Sequence, residues 1–337
     1  MRMSPSGFRD YAKICFERFG DRVKVWATIN EPHFYSYCAN MLGNYPPNRS
    51  LDMQSFMQYQ YHLMLASSMA VRAYREMGGD GIIGVVHDGG VVEVDPAAEH
   101  PEEVFRGADF MANRMILAPC LQGRLPEEMD EMLQKLDVLL YRVPGDEEIF
   151  AQGVGDYIGL NVYCREYATD WRGGATQVSA NNKGGASKKL EGSDRTAVSD
   201  HVRSNVPRNK WGREILPRVM YSTIMDIAER YGNPLMFITE NGHGAYEDPD
   251  AEGMVHDDER IEVLDHVIEH MMRARAEGAN VHGYYVWSTM DLYSWINGYQ
   301  KRYGLVRVDF DNDLKRVPKK SWYWYRDLIN GYLNQSE

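Results

Sequence analysis

The chain has 337 residues, 44% of them apolar, with a net charge of −12. That is enough apolar material for one large core, and the acidic balance excludes nucleic acid as the main partner, because phosphate backbones are bound by basic faces. No apolar run approaches the ~18 residues of a membrane span, and Cys15, Cys38, Cys120 and Cys164 form no metal-type cluster, so a cytoplasmic protein with reduced thiols and no membrane partner is expected.

Phe8, Tyr11, Ala12, Cys15, Phe16 and Phe19 recur at helical spacing, with Ser6 as the expected N-cap and Gly20 as the stop. A β-rich run over 23–29 follows and ends in Asn30-Glu31-Pro32. A long helix is expected over 53–77, closed by Gly78-Gly79, then a short buried strand over 81–87. Pro101-Glu102-Glu103 and Pro126-Glu127-Glu128 each read as a helix start with acidic residues in the first turn. A strand over 156–163 precedes a long polar segment over 165–213, the kind of loop that usually carries function. The alternation then resumes with a helix over 216–231 and a strand ending at Glu240. A helix over 259–277, a strand over 281–287 and a last helix over 321–332 complete it. Strands and helices that alternate without a linker imply a parallel sheet with helices outside it. The five strands end near Glu31, His87, Tyr163, Glu240 and Trp287.

Two signatures carry little weight. Residues 79–84 match GxGxxG, but the dinucleotide fingerprint follows a strand and opens a helix, whereas these glycines enter a strand. His266-Val267-Ile268-Glu269-His270 matches HxxEH, yet it lies on an amphipathic helix with no third ligand in view. No metal or organic cofactor is expected.

The strand ends carry more. Phe237-Ile238-Thr239 runs straight into Glu240-Asn241-Gly242, and the first strand runs into Asn30-Glu31. Ligands of parallel α/β sheets bind at the C-terminal ends of strands, and an unpaired carboxylate makes a poor core residue. Each glutamate alone could be an ordinary charged residue. Together they form a candidate acid/base pair of the kind glycoside hydrolysis requires.

Thr28-Ile29-Asn30-Glu31-Pro32 and Ile238-Thr239-Glu240-Asn241-Gly242 resemble the acid/base and nucleophile motifs of glycoside hydrolase family 1. The likeness extends to 16–24, 156–163, 287–291 and 298–305, in family order along the whole chain. The resemblance implies an eight-stranded (β/α) TIM barrel and a retaining mechanism. Glu240 would be the nucleophile and Glu31 the acid/base. Asn30, Asn161, Tyr163 and Trp287 would line the sugar, with Tyr163 orienting Glu240 and Asn30 holding the 2-hydroxyl. Where family members acting on plain glucosides carry Glu-Trp, this chain has Ser294-Trp295. With Lys301 and Tyr303, Ser294 fits the pattern of the 6-phospho-β-glycosidases, a donor set suited to a phosphate dianion.

The expected substrate is therefore a small-molecule β-glucoside, with 6-phospho-β-glucosides favoured over unphosphorylated ones. The resemblance also implies that three βα units of the barrel precede this chain's first helix. An incomplete barrel over 1–337 is thus expected, open to self-association or to a complementing N-terminal fragment. A split enzyme inactive without that fragment, and a vestigial sugar-binding protein, are the alternatives.

Overall fold

The computed structural model describes residues 4–171, 177–180, 188–191, 200–201, 205–210, 212–295 and 298–334. Part of the polar segment over 165–213 therefore lies outside the described residues. Five parallel strands form the central sheet: β1 (Val25–Asn30), β2 (Ile82–His87), β3 (Tyr157–Asn161), β4 (Met236–Asn241) and β5 (Val281–Val286). They hydrogen-bond in the order of the sequence, without reversal. An unreversed order is that of a barrel wall; a doubly wound sheet reverses at a switch point.

Burial sorts the strands. β3 is buried throughout and β2 nearly so, which is why both read as continuous apolar runs. β1 and β5 are the two edges of this sheet among the described residues. Val25 and Tyr285 on them are 56% and 60% exposed.

Helices α1 (Pro5–Phe19), α2 (Pro32–Asn40), α3 (Met53–Glu76), α4 (Val219–Arg230), α5 (Asp258–Ala276) and α6 (Lys320–Asn334) form most of the helical layer. The main core joins α3 and α4 to the sheet through Met57, Met64, Ile224, Ile158, Met236 and Ile238. Phe16 of α1 packs edge-on against Trp26 and Tyr74, each at 5.0 Å between ring centres.

Several expectations shift. Ser4, not Ser6, caps α1, accepting from the Gly7 N–H at 3.1 Å, because Pro5 takes the first helical position. The helix signalled by Pro126 starts only at Met129, since a turn closes first between the Met129 N–H and the Pro126 carbonyl at 3.2 Å. Neither α2 nor the antiparallel ribbon of Val306–Asp309 with Lys315–Pro318 was expected. HxxEH lies on α5 with His266 and Glu269 exposed.

Candidate active site

Both strands that end in a glutamate carry a bulge just before it. Ile238 of β4 sits opposite Leu160, yet Glu240 sits opposite Asn161, two steps on β4 against one on β3. On β1, Ala27 faces Gly84 and Asn30 faces Val86, three steps against two. A one-residue slip carries the following side chains to the other face of the sheet. By strict alternation Glu240 would share the face of Ile238, which is packed against the helices, and Asn30 would share that of Thr28, whose hydroxyl meets Ser67 of α3 at 2.7 Å. The bulges turn both residues inward.

Glu31 is fixed by its backbone. Its N–H donates to the Val86 carbonyl at 2.9 Å, and Pro32 opens α2 behind it. It adopts φ 50°, ψ 58°, a left-handed conformation that costs a non-glycine residue about 1–3 kcal/mol.

Asn161 draws the two strand ends together. Fully buried at the end of β3, it donates to Glu31 Oε1 at 2.9 Å and to Asn30 Oδ1 at 3.2 Å. Its own Oδ1 accepts from Thr239 Oγ1, on the residue before Glu240, at 2.7 Å, and its amide favours the Glu240 anion. In a flat sheet β1 and β3 would lie about 10 Å apart with β2 between them. A single carboxamide can span that gap only if the sheet curls, bringing its C-terminal ends to one mouth. Gly84 permits the curl: a Cβ there would stand 2.3 Å from the Tyr157 carbonyl oxygen, while the Tyr157 hydroxyl reaches past it to the Trp26 carbonyl at 3.0 Å.

The two carboxyls differ in environment. Burial pushes Glu31 up to about 7, the charges of Asp88 and Glu240 push the same way, and Asn161 and Arg213 oppose them. Glu240 is raised too, chiefly by burial, but hydrogen bonds from Tyr163 and Asn161 favour its anion. The Tyr163 hydroxyl donates to Glu240 Oε2 at 3.1 Å. Asn241 ties the neighbouring strands, donating to the Val162 carbonyl at 2.6 Å and accepting from the Tyr284 hydroxyl at 2.7 Å.

The remaining candidates lie at the end of β5 and in its loop. The Trp287 N–H donates to the Asn241 carbonyl at 2.7 Å, and the Ser288 N–H to the Tyr303 carbonyl at 3.2 Å. Ser294 exchanges backbone hydrogen bonds with Gly298 at 2.9 and 2.8 Å. Lys301 is buried and its ammonium is pushed down to about 8 by that burial and by Arg213. Tyr303 feels Arg213 as well. Trp295 is 81% exposed, its ring edge-on to Tyr293 at 6.5 Å between centres.

Two groups at this mouth were not singled out from the sequence. Asp88, just past β2, acts on both carboxyls; although burial opposes its charge, His33 and His87 hold it low, with His33 Nδ1 at 3.2 Å. The rule that flagged Glu31 and Glu240, a charged residue directly after an apolar strand, applies equally to it. Arg213 sits over the Tyr163 ring at 4.9 Å and lines a cleft with Tyr163, Asn209, Asn241, Gly242 and His243. Nothing periodic in the polar segment marked it. Among the described residues, no group of three His, Cys, Asp or Glu side chains is placed to hold a metal ion.

The model of glycosyl hydrolase family 1 matches residues 4–332. The chain is 33% identical over 334 residues to a 6-phospho-β-galactosidase of Clostridium acetobutylicum, covering 95% of this chain and 68% of that one. It is 35% identical over 336 residues to a 6-phospho-β-galactosidase of Staphylococcus aureus, covering 95% and 69%. Among solved structures, a β-glucosidase from Thermotoga maritima in complex with noeuromycin superposes with a TM-score of 0.81 at 29% identity, over 97% of this chain and 68% of that one.

Proposed function

The chain belongs to glycosyl hydrolase family 1, and on that footing we propose that it is a retaining β-glycosidase of 6-phosphorylated β-glycosides. Glu240 attacks the anomeric carbon as the glycosidic C–O bond breaks, and Glu31 gives its proton to the leaving oxygen. Glu31 then takes a proton from water, which displaces Glu240 from the glycosyl ester. Retention needs the carboxyls roughly 5–5.5 Å apart. The observation that carries the reading is the Asn161 carboxamide, which donates to Glu31 and accepts from Thr239, the residue that precedes Glu240.

Asn30 meets the sugar 2-hydroxyl, Trp287 supplies part of the sugar platform, and Ser294, Lys301 and Tyr303 receive the phosphate. The relatives named 6-phospho-β-galactosidase support the phosphorylated class. Hydrolysis of unphosphorylated β-glucosides is the second reading, favoured by the Thermotoga maritima neighbour. Nitrophenol release from aryl β-glucoside 6-phosphate, aryl β-galactoside 6-phosphate and their unphosphorylated counterparts decides between them. Faster turnover of the plain glycosides overturns the phosphate reading. A cytoplasmic place goes with it, since a sugar phosphate crosses lipid poorly; no described helix is long and apolar enough to span a membrane.

We also read the five strands as the fourth to eighth of a (β/α)8 barrel, an arc that further βα units would close at β1 and β5. A separately supplied N-terminal segment, or self-association, would cover those edges. Activity that rises when such a segment is added supports the first; a concentration-dependent mass supports the second.

A further inference from the structure

The turn that carries Arg213 is firmly built. Asn209 and Arg213 exchange hydrogen bonds, the Asn209 N–H to the Arg213 carbonyl at 2.9 Å and the Arg213 N–H to Asn209 Oδ1 at 3.0 Å. Gly212 takes φ 86° at its tip, a left-handed value that favours glycine. An antiparallel bridge between Arg208 and Glu214 closes its base. Such a turn presents a side chain in a fixed direction.

Among the described residues, the charge it presents has no carboxylate partner. Glu214, the adjacent carboxylate, is held by Arg165 at 3.0 Å and Arg208 at 3.1 Å. Among the described residues no carboxylate stands within ion-pair distance of the Arg213 guanidinium, which stacks on the Tyr163 ring. Its charge is felt by Tyr163, Glu31, Lys301 and Tyr303, and its side chain lines the cleft that Tyr163 and Asn241 share. Arg213 and Lys301 are like charges acting on each other. Two cations held in one mouth repel until an anion lies between them.

Resting on the 6-phospho reading above, we infer that Arg213 is a specificity-determining residue: its guanidinium, together with the Lys301 ammonium, grips the substrate's phosphate. A phosphate monoester carries about −1.5 to −2 charges near neutral pH, which matches two cations. A guanidinium meets phosphate oxygens with two parallel N–H donors. Its place over the Tyr163 ring sets that fork at the residue whose hydroxyl serves Glu240.

The test is calorimetric binding at fixed pH, because removing Arg213 also alters the field on Glu31. The intact chain is titrated with methyl β-glucoside 6-phosphate, methyl β-galactoside 6-phosphate and both plain glycosides, and compared with Arg213→Met and Arg213→Lys. Methionine keeps an apolar stem on the ring, and lysine keeps the charge without the fork. The expected result is a preference for the phosphorylated ligands that falls about tenfold to a hundredfold in Arg213→Met and less in Arg213→Lys. If the unaltered chain prefers phosphate and both folded variants keep that preference, the inference fails while the phospho-sugar reading stands. If the unaltered chain shows no preference, the phospho-sugar reading falls and takes the inference with it.

Discussion

Glu31 occupies a backbone conformation and a protonation state that an ordinary glutamate would leave. With its carboxyl pushed up to about 7, it holds a proton to give at neutral pH, and kcat/KM for substrates with poor leaving groups should fall as pH rises through that value. Glu31→Gln should remove this limb and slow alkyl glycosides far more than nitrophenyl glycosides; equal slowing would count against the acid role. Glu240→Gln should abolish turnover of both, by an assay sensitive to about one part in ten thousand. The same burial has a cost in stability. Because the folded pKa of Glu31 lies above the unfolded value, the folded state binds its proton more tightly. Raising the pH from about 4.5 through about 7 therefore destabilises the fold, by roughly 3 kcal/mol at most. Glu31→Gln should accordingly raise Tm at pH 8 and leave it nearly unchanged at pH 4. The two glutamates were legible because each interrupts an apolar strand. The joint role of Asn161 was not, because a buried carboxamide shared between two strands has no signature at the level of neighbouring residues.

At the scale of elements, strand ends were readable where an apolar run meets a polar residue, as at Ile29-Asn30 and Thr239-Glu240. The bulges were not, since the extra residue shows only when the partner strand is counted. Helix starts misread where a proline made a turn first, as at Pro126. The loops after β4 and β5 hang on a buried ionic cluster that periodicity could not reveal. Arg260 meets Asp257 and Glu247, Lys319 meets Glu247 and Asp291, and Asp291 also accepts from Arg302 at 3.1 Å and the Gly304 N–H at 3.0 Å. Lys319 is fully buried and Asp291 nearly so. Asp291→Ala strands a buried ammonium and should cost roughly 3–5 kcal/mol, read as a lowered urea midpoint with an unchanged slope. A midpoint shift of less than about 1 kcal/mol would show that water replaces the carboxylate and that the cluster is not what holds these loops.

For the whole molecule, the parallel architecture followed from the alternation of elements, and the order of the five strands agrees with it. An incomplete wall was expected from the family resemblance alone, because closure depends on pairing at β1 and β5 and not on any local pattern. If the edges are uncovered, with Val25 and Tyr285 exposed on them, the chain should associate as concentration rises. Sedimentation velocity over a hundredfold dilution range should show this, and a monomer throughout would mean the edges are shielded. Read as an arc, the five strands have nothing among the described residues that closes the circumference and fixes its radius. The gap between the strand ends that carry Glu31 and Glu240 is then spanned by one amide, Asn161, acting as a tie-rod across the opening. Were that tie cut, as in Asn161→Ala, each carboxyl would keep its own strand and its own bulge, yet the arc could flatten and the pair would cease to be a pair.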